Sequence, residues 1–151
     1  SVIMSSVNNA RIKSRDVKRK QDAVQIRNAL ELYYSRNGSY PLASPGAWGG
    51  VTTGGCGPAN SATYIAGIVP SYMSVLPRDP NATSACTGYL YNSNGINYKL
   101  LIHNSWEGTY PVAGDPFYDP VRPTWSLMIT NKPDPMPGGC SGDTSQYPIC
   151  W

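Results

Sequence analysis

The first 37 residues contain neither glycine nor proline, and the run ends at Ser35-Arg36-Asn37-Gly38-Ser39-Tyr40-Pro41. Gly and Pro are the residues that most weaken a helix interior. Their absence permits one continuous helix of about 36 residues, roughly 54 Å long. From Ala23 onward the period is clear: Ala23, Ile26, Ala29, Leu30 and Tyr33 recur at three- and four-residue steps and predict a face buried in a core. Upstream, Ile3, Val7, Ala10, Ser14, Val17, Gln21 and Val24 make a thinner stripe interrupted by polar residues. The stop is well marked. Arg36 complements the C-terminal dipole, Gly38 can adopt the left-handed conformation past the end, and Pro41 prevents resumption. A helix of this length exceeds what one small domain needs. Its first half is therefore expected to protrude or to pack on another molecule.

Charge sharpens that expectation. Residues 1–36 carry eight of the twelve Lys and Arg residues, and their net charge is +5 against −2 for the remainder. A solvated face is the plain reading of the cluster Arg11, Lys13, Arg15, Lys18, Arg19 and Lys20. Salt bridges to acidic groups of neighbouring subunits, lipid headgroups or DNA are the functional ones. No aromatic residue interleaves the cations, which disfavours nucleic acid.

After the helix, residues 42–61 form a Gly/Ser/Pro-rich loop around Trp48 and Cys56. Residues 62–76 predict a short helix or two turns split by Pro70, and "LPRDPNATSACTG" is loop. The β signals follow. Tyr89–Tyr91 and Ile96–His103 flank Ser93-Asn94-Gly95, a hairpin turn, and residues 124–130 predict a third strand. The intervening "EGTYPVAGDPFYDPVRP" is too rich in proline for regular structure, and residues 131–151 are a Pro/Gly loop.

Four cysteines, Cys56, Cys86, Cys140 and Cys150, stand apart from any Cys-x-x-Cys spacing, and His103 is the single histidine, which argues against zinc. Two disulfides in an oxidising compartment are expected. Cys56–Cys86 and Cys140–Cys150 are favoured because sequential pairing closes local loops, and four free thiols are the alternative. No apolar run approaches the roughly 20 residues of a membrane helix. Disulfides without an export signal lead to the expectation that an N-terminal segment has been removed.

The predicted fold is α+β in a single domain, 1–151. A helical stem, 1–37, packs on a head, 38–151, with a small antiparallel sheet of three to four strands and a disulfide-stapled C-terminal loop. This order resembles type IV pilins and the pseudopilins of type II secretion systems. The likeness is carried by "SVIMSSVNNARIKSRDVKRKQDAVQIRNALELYYSRNGSYP", by "LPRDP" at 76–80 and by "YLYNSNGINYKL" at 89–100. It implies an apolar stem half, holding a glutamate and a methylated N-terminus, ahead of the region that Ser1-Val2-Ile3-Met4 matches. It also implies anchoring in an inner membrane before assembly into an extracellular filament with copies of itself or with other pilins. Adhesion, twitching motility and DNA uptake are functions of such filaments. On this reading Val2, Ile3 and Val7, with the basic cluster Arg11–Lys20, face neighbouring subunits, and Ala23, Ile26, Ala29, Leu30 and Tyr33 join stem to head.

Catalysis has little support, since no partner pattern surrounds His103. Asp115 and Asp119 in "GDPFYDP" could ligate calcium, which pseudopilins of the major class often hold, although Asp-Pro turns explain them as well. Trp48, Trp106, Trp125 and Trp151 with eleven tyrosines could build a sugar-binding platform. An extracellular adhesin or carbohydrate-binding module is therefore the rival from another class. Asn81-Ala82-Thr83 matches a glycosylation acceptor, a pattern common by chance.

Overall fold

The computed structural model describes residues 2–42, 63–82 and 87–132, with side chains from Met4 onward in the first segment. The helix α1 spans Val2–Asn37 without interruption. It ends as its sequence requires. Gly38 takes φ +71°, and its N–H donates to the Tyr34 carbonyl at 2.8 Å, a left-handed cap. The Asn37 amide adds a second closure, donating to the Tyr33 carbonyl at 2.8 Å and to the Tyr72 hydroxyl at 2.9 Å.

Three strands follow: β1 (Gly88–Ser93), β2 (Tyr98–His103) and β3 (Ser126–Thr130). They form one antiparallel sheet in the order β1-β2-β3. The register pairs Tyr91 with Leu100 and Leu100 with Ile129. Alternation then places Tyr89, Tyr91, Tyr98, Leu100, Ile102, Leu127 and Ile129 on one face, where they pack with Ala23, Ile26, Ala29 and Leu30 of α1. Tyr33 is partly buried against the same core. The opposite face is also covered: Leu90, Lys99, Leu101, His103 and Met128 are all buried. There the His103 ring meets Trp125 edge-on at 5.0 Å.

The hairpin differs in detail from the sequence reading. Its two central residues are Gly95 and Ile96, between Asn94 and Asn97, because Ser93 is still paired with Tyr98. Gly95 has φ +88°, the conformation a hairpin with glycine first in the turn demands. Residues 63–76 form turns rather than a helix and supply Tyr64, Ile65, Ile68 and Leu76 to the core. The second half of that choice is the one the chain takes, with Pro70 inside the turns. The four cysteines and both favoured pairings, the C-terminal loop 133–151, Trp48 and Trp151 lie outside the described residues.

Candidate functional site: the stem–head junction

The head does not begin where the apolar stripe begins. Every described residue from Met4 to Arg11 is exposed, whereas Asp16, Arg19 and Asp22 are buried along with Ala23, Ile26, Ala29 and Leu30. These positions continue one helical face toward the N-terminus, first apolar and then ionic.

Arg19 is the centre of the ionic part. Its side chain is fully buried. The guanidinium donates to Asp79 through Nε at 2.8 Å and Nη2 at 3.2 Å, a forked pair of the kind only arginine can form. Nη1 donates to Asp16 Oδ1 at 2.6 Å, one turn back on the same helix, and to Glu107 Oε1 at 2.8 Å. Arg15 also grips Glu107, donating from Nε to the same Oε1 at 2.7 Å and from Nη2 to Oε2. Asp16 in turn accepts the backbone N–H groups of Glu107 and Gly108, at 3.2 and 2.7 Å. Asp79 accepts the Asn81 N–H at 2.9 Å. Three carboxylates from the helix and two loops therefore converge on one guanidinium, and each also accepts from further N–H donors. Such pairing and hydrogen bonding are what make a buried ionic group tolerable.

The same face continues the contact. Asp22 accepts the Tyr89 hydroxyl at 2.7 Å and pairs with Lys18. The Lys20 ammonium lies over the rings of Trp106 and Phe117, 5.3 and 4.8 Å from their centroids, with Asp115 at 3.9 Å. Trp106 is fixed by donating its indole N–H to the Thr109 carbonyl at 3.0 Å.

These contacts shift proton affinities. The Arg15 and Arg19 hydrogen bonds hold the Glu107 carboxyl down at about 2. Burial works against the Arg19 charge, but the bonds to Asp79 and Glu107 outweigh it and raise the group above its ordinary value. Glu107 is a carboxyl whose affinity is depressed on folding, so its contribution to stability is complete above the ordinary value of 4.5 and is lost as pH falls toward about 2. An acid titration of thermal midpoint should therefore fall across that window. Glu107→Gln should flatten the profile there; an unchanged acid limb would contradict the assignment.

The basic cluster is thus not one surface. Arg19, expected to face neighbouring subunits, is buried and bonded to its own head. Arg15, partly buried, and Lys20 are also turned toward head residues. The correction has a simple physical cause: Asp79 and Glu107 lie 60 and 88 residues away, and local charge counting does not see them. Arg11, Lys13 and Lys18 remain exposed, as does Val7, while the Val2 and Ile3 side chains lie outside the described ones. Val17, of the upstream stripe, is 55% exposed.

Asp115 and Asp119 are both committed to turns. Asp115 Oδ1 accepts the Phe117 N–H at 2.8 Å. Asp119 is buried, accepts the Val121 and Arg122 N–H groups, and pairs with the Arg122 guanidinium at 3.3 Å. Among the described residues no group of three His, Cys, Asp or Glu is placed to hold a metal ion. The residues that sequence reasoning missed, Asp16, Asp79 and Glu107, had one faint signal: Asp16 and Arg19 lie in phase with Ala23, Ile26 and Leu30.

The arrangement locks the helix to the sheet domain, while the described residues from Met4 to Arg11 stay exposed. Among the described residues no helix is long and apolar enough to cross a membrane. Comparison with protein-family models, curated proteins and solved structures found no match, so the functional reading rests on the fold and on this junction.

Proposed function

We propose that the chain is the head and lower stem of a structural filament subunit of the type IV pilin class. Its sibling, a type II secretion pseudopilin, is the alternative within the same architecture. The observation that carries the reading is the division of α1. One face from Asp16 to Leu30 is docked on the head, while the described turns from Met4 to Arg11 touch solvent on every side. A helix long enough to fix a head and still project is suited to packing against equivalent helices. The exposed Val7 and Val17 supply apolar contact there, and Arg11 and Lys13 supply charge. In this proposal an apolar stem half anchors the subunit in the inner membrane before assembly, and the head forms the outside of an extracellular filament. The role is structural, not enzymatic.

One feature weighs against the carbohydrate-binding alternative: Trp106 has the Lys20 ammonium over its ring and donates its indole N–H to the Thr109 carbonyl.

Site-directed crosslinking in the native cell tests the proposal. Val7→Cys in the full-length protein, treated with a short bis-maleimide, is expected to give a ladder of covalent multimers. The same treatment of a head-surface control, Thr109→Cys, should give a different pattern or none. Monomer alone at Val7 in cells that make the protein would overturn the filament reading.

A further inference from the structure

The chain contains two Asn-Gly pairs in the described segments, Asn37-Gly38 and Asn94-Gly95, and the fold treats them oppositely. We propose that Asn94 is a site of spontaneous self-modification, converting through a succinimide to aspartate and isoaspartate, and that Asn37 is protected from the same reaction.

The chemistry needs three things. The backbone nitrogen after the asparagine must attack the side-chain Cγ. The developing negative charge on Oδ1 must be stabilised. The amide proton must be able to leave. Glycine in the following position removes the side chain that would obstruct attack.

At Asn94 the hairpin provides the second of these, and Gly95 leaves the approach to Cγ free of a side chain. The Gly95 nitrogen is the nucleophile, and its proton is directed at the Ser93 hydroxyl oxygen, 3.0 Å away. Oδ1 of Asn94 accepts two backbone N–H groups, from Ile96 at 3.0 Å and Asn97 at 2.8 Å. They polarise the carboxamide and face the oxygen on which charge accumulates, as the donors of an oxyanion hole do. Asn94 is half-buried, so water reaches the product ring. In the step itself the bond from Gly95 N to Asn94 Cγ forms, the Cγ–Nδ2 bond breaks, and the amide proton leaves with ammonia. Water then opens the ring at either carbonyl, giving aspartate or isoaspartate. No oxidant or reductant is involved.

At Asn37 the same pair is withdrawn. The Gly38 N–H is committed to the Tyr34 carbonyl in the helix cap, and Asn37 is itself within α1. Ring closure requires the asparagine backbone to leave helical ψ, which would break that cap. The leaving nitrogen, Nδ2, is held by the Tyr33 carbonyl and the Tyr72 hydroxyl.

The location gives the modification a consequence. The Gly95 carbonyl accepts the Tyr40 N–H at 2.7 Å, which ties the chain leaving the stem to the hairpin. An isoaspartate lengthens the backbone path at that turn, and either product adds a carboxylate there. The inference does not depend on the filament reading.

The test is ageing of the intact protein in mildly alkaline buffer, followed by peptide mass mapping and labelling with an isoaspartate-specific methyltransferase. Asn94 is expected to convert at least about tenfold faster than Asn37, equivalent to about 1.4 kcal/mol in barrier. In the urea-unfolded chain the two rates should converge. Asn94→Gln should abolish the faster signal, with circular dichroism reporting whether the fold is retained. Equal or reversed rates in the folded protein would overturn the proposal. So would an unaltered Asn94 over a period in which the unfolded chain converts, or persistence of the fast signal in Asn94→Gln.

Discussion

Replacing Arg19 by alanine is expected to destabilise the fold by about 3–5 kcal/mol, because it strands charge already taken out of water. Asp16 and Asp79 are buried, and both pair with the Arg19 guanidinium. A loss of that size is a large part of the roughly 5–15 kcal/mol that holds a typical domain. Arg19→Lys should recover only part of it, since an ammonium cannot reproduce the fork across both Asp79 oxygens. Removing the charges together should cost much less than removing the arginine alone. Asp16→Asn, Arg19→Met and Asp79→Asn combined is the relevant variant, and the comparison separates a stranded charge from lost packing. Urea denaturation of the four proteins gives the measurement. A single Arg19→Ala variant within about 1 kcal/mol of the parent would mean that the burial of these groups carries no energetic weight.

The second large effect lies at the other end of the pH scale. Tyr64, Tyr89, Tyr91 and Tyr98 are buried, and burial raises each phenol well above its ordinary value of 10.0. For Tyr89 the Asp22 carboxylate adds to the same direction, since it accepts the phenolic proton. Each such group stabilises the fold fully below pH 10.0. Above that value the unfolded chain releases protons that the folded one must keep, so stability falls. The loss is about 1.4 kcal/mol per group per pH unit, or between about 5 and 6 kcal/mol per unit for the set. Alkaline unfolding should therefore be abrupt, within about two units of the phenol's ordinary value. Tyrosinate absorbance and circular dichroism should change together. Tyr98→Phe should reduce the slope by about a quarter. Gradual ionisation of all tyrosines with the fold intact would contradict the buried placement.

Much of this architecture was legible in the sequence because it rests on local rules. The uninterrupted run to Asn37 and the Gly38 cap depend on propensity and on one backbone conformation. Ala23, Ile26, Ala29 and Leu30 repeat at the spacing of a helix face, and they lie in the core. The strands follow from Tyr, Leu and Ile between turn residues, although β2 starts at Tyr98 rather than Ile96. Ile96, exposed in the turn, reads as strand because apolarity alone looks the same in either setting. The junction was not legible. Arg19 looks like any lysine or arginine of a solvated face until the loops at 77–82 and 105–109 are folded against it. Its partners belong to irregular segments, where no periodicity announces which carboxylate turns inward.

The Arg19 fork has a further consequence for how the molecule is oriented. An apolar interface between a helix and a sheet tolerates small slips, because one methyl replaces another at little loss. A slip of a single residue along α1 would rotate the helix by about 100° and advance it by about 1.5 Å. Arg19 would then point away from both Asp79 and Glu107, which it meets at 2.8 Å in the native register. The ionic centre therefore reinforces the one rotational phase that the buried face of Ala23, Ile26, Ala29 and Leu30 also selects. Any partner that gripped the first turns of the helix would through this register also fix the azimuth of the head relative to itself.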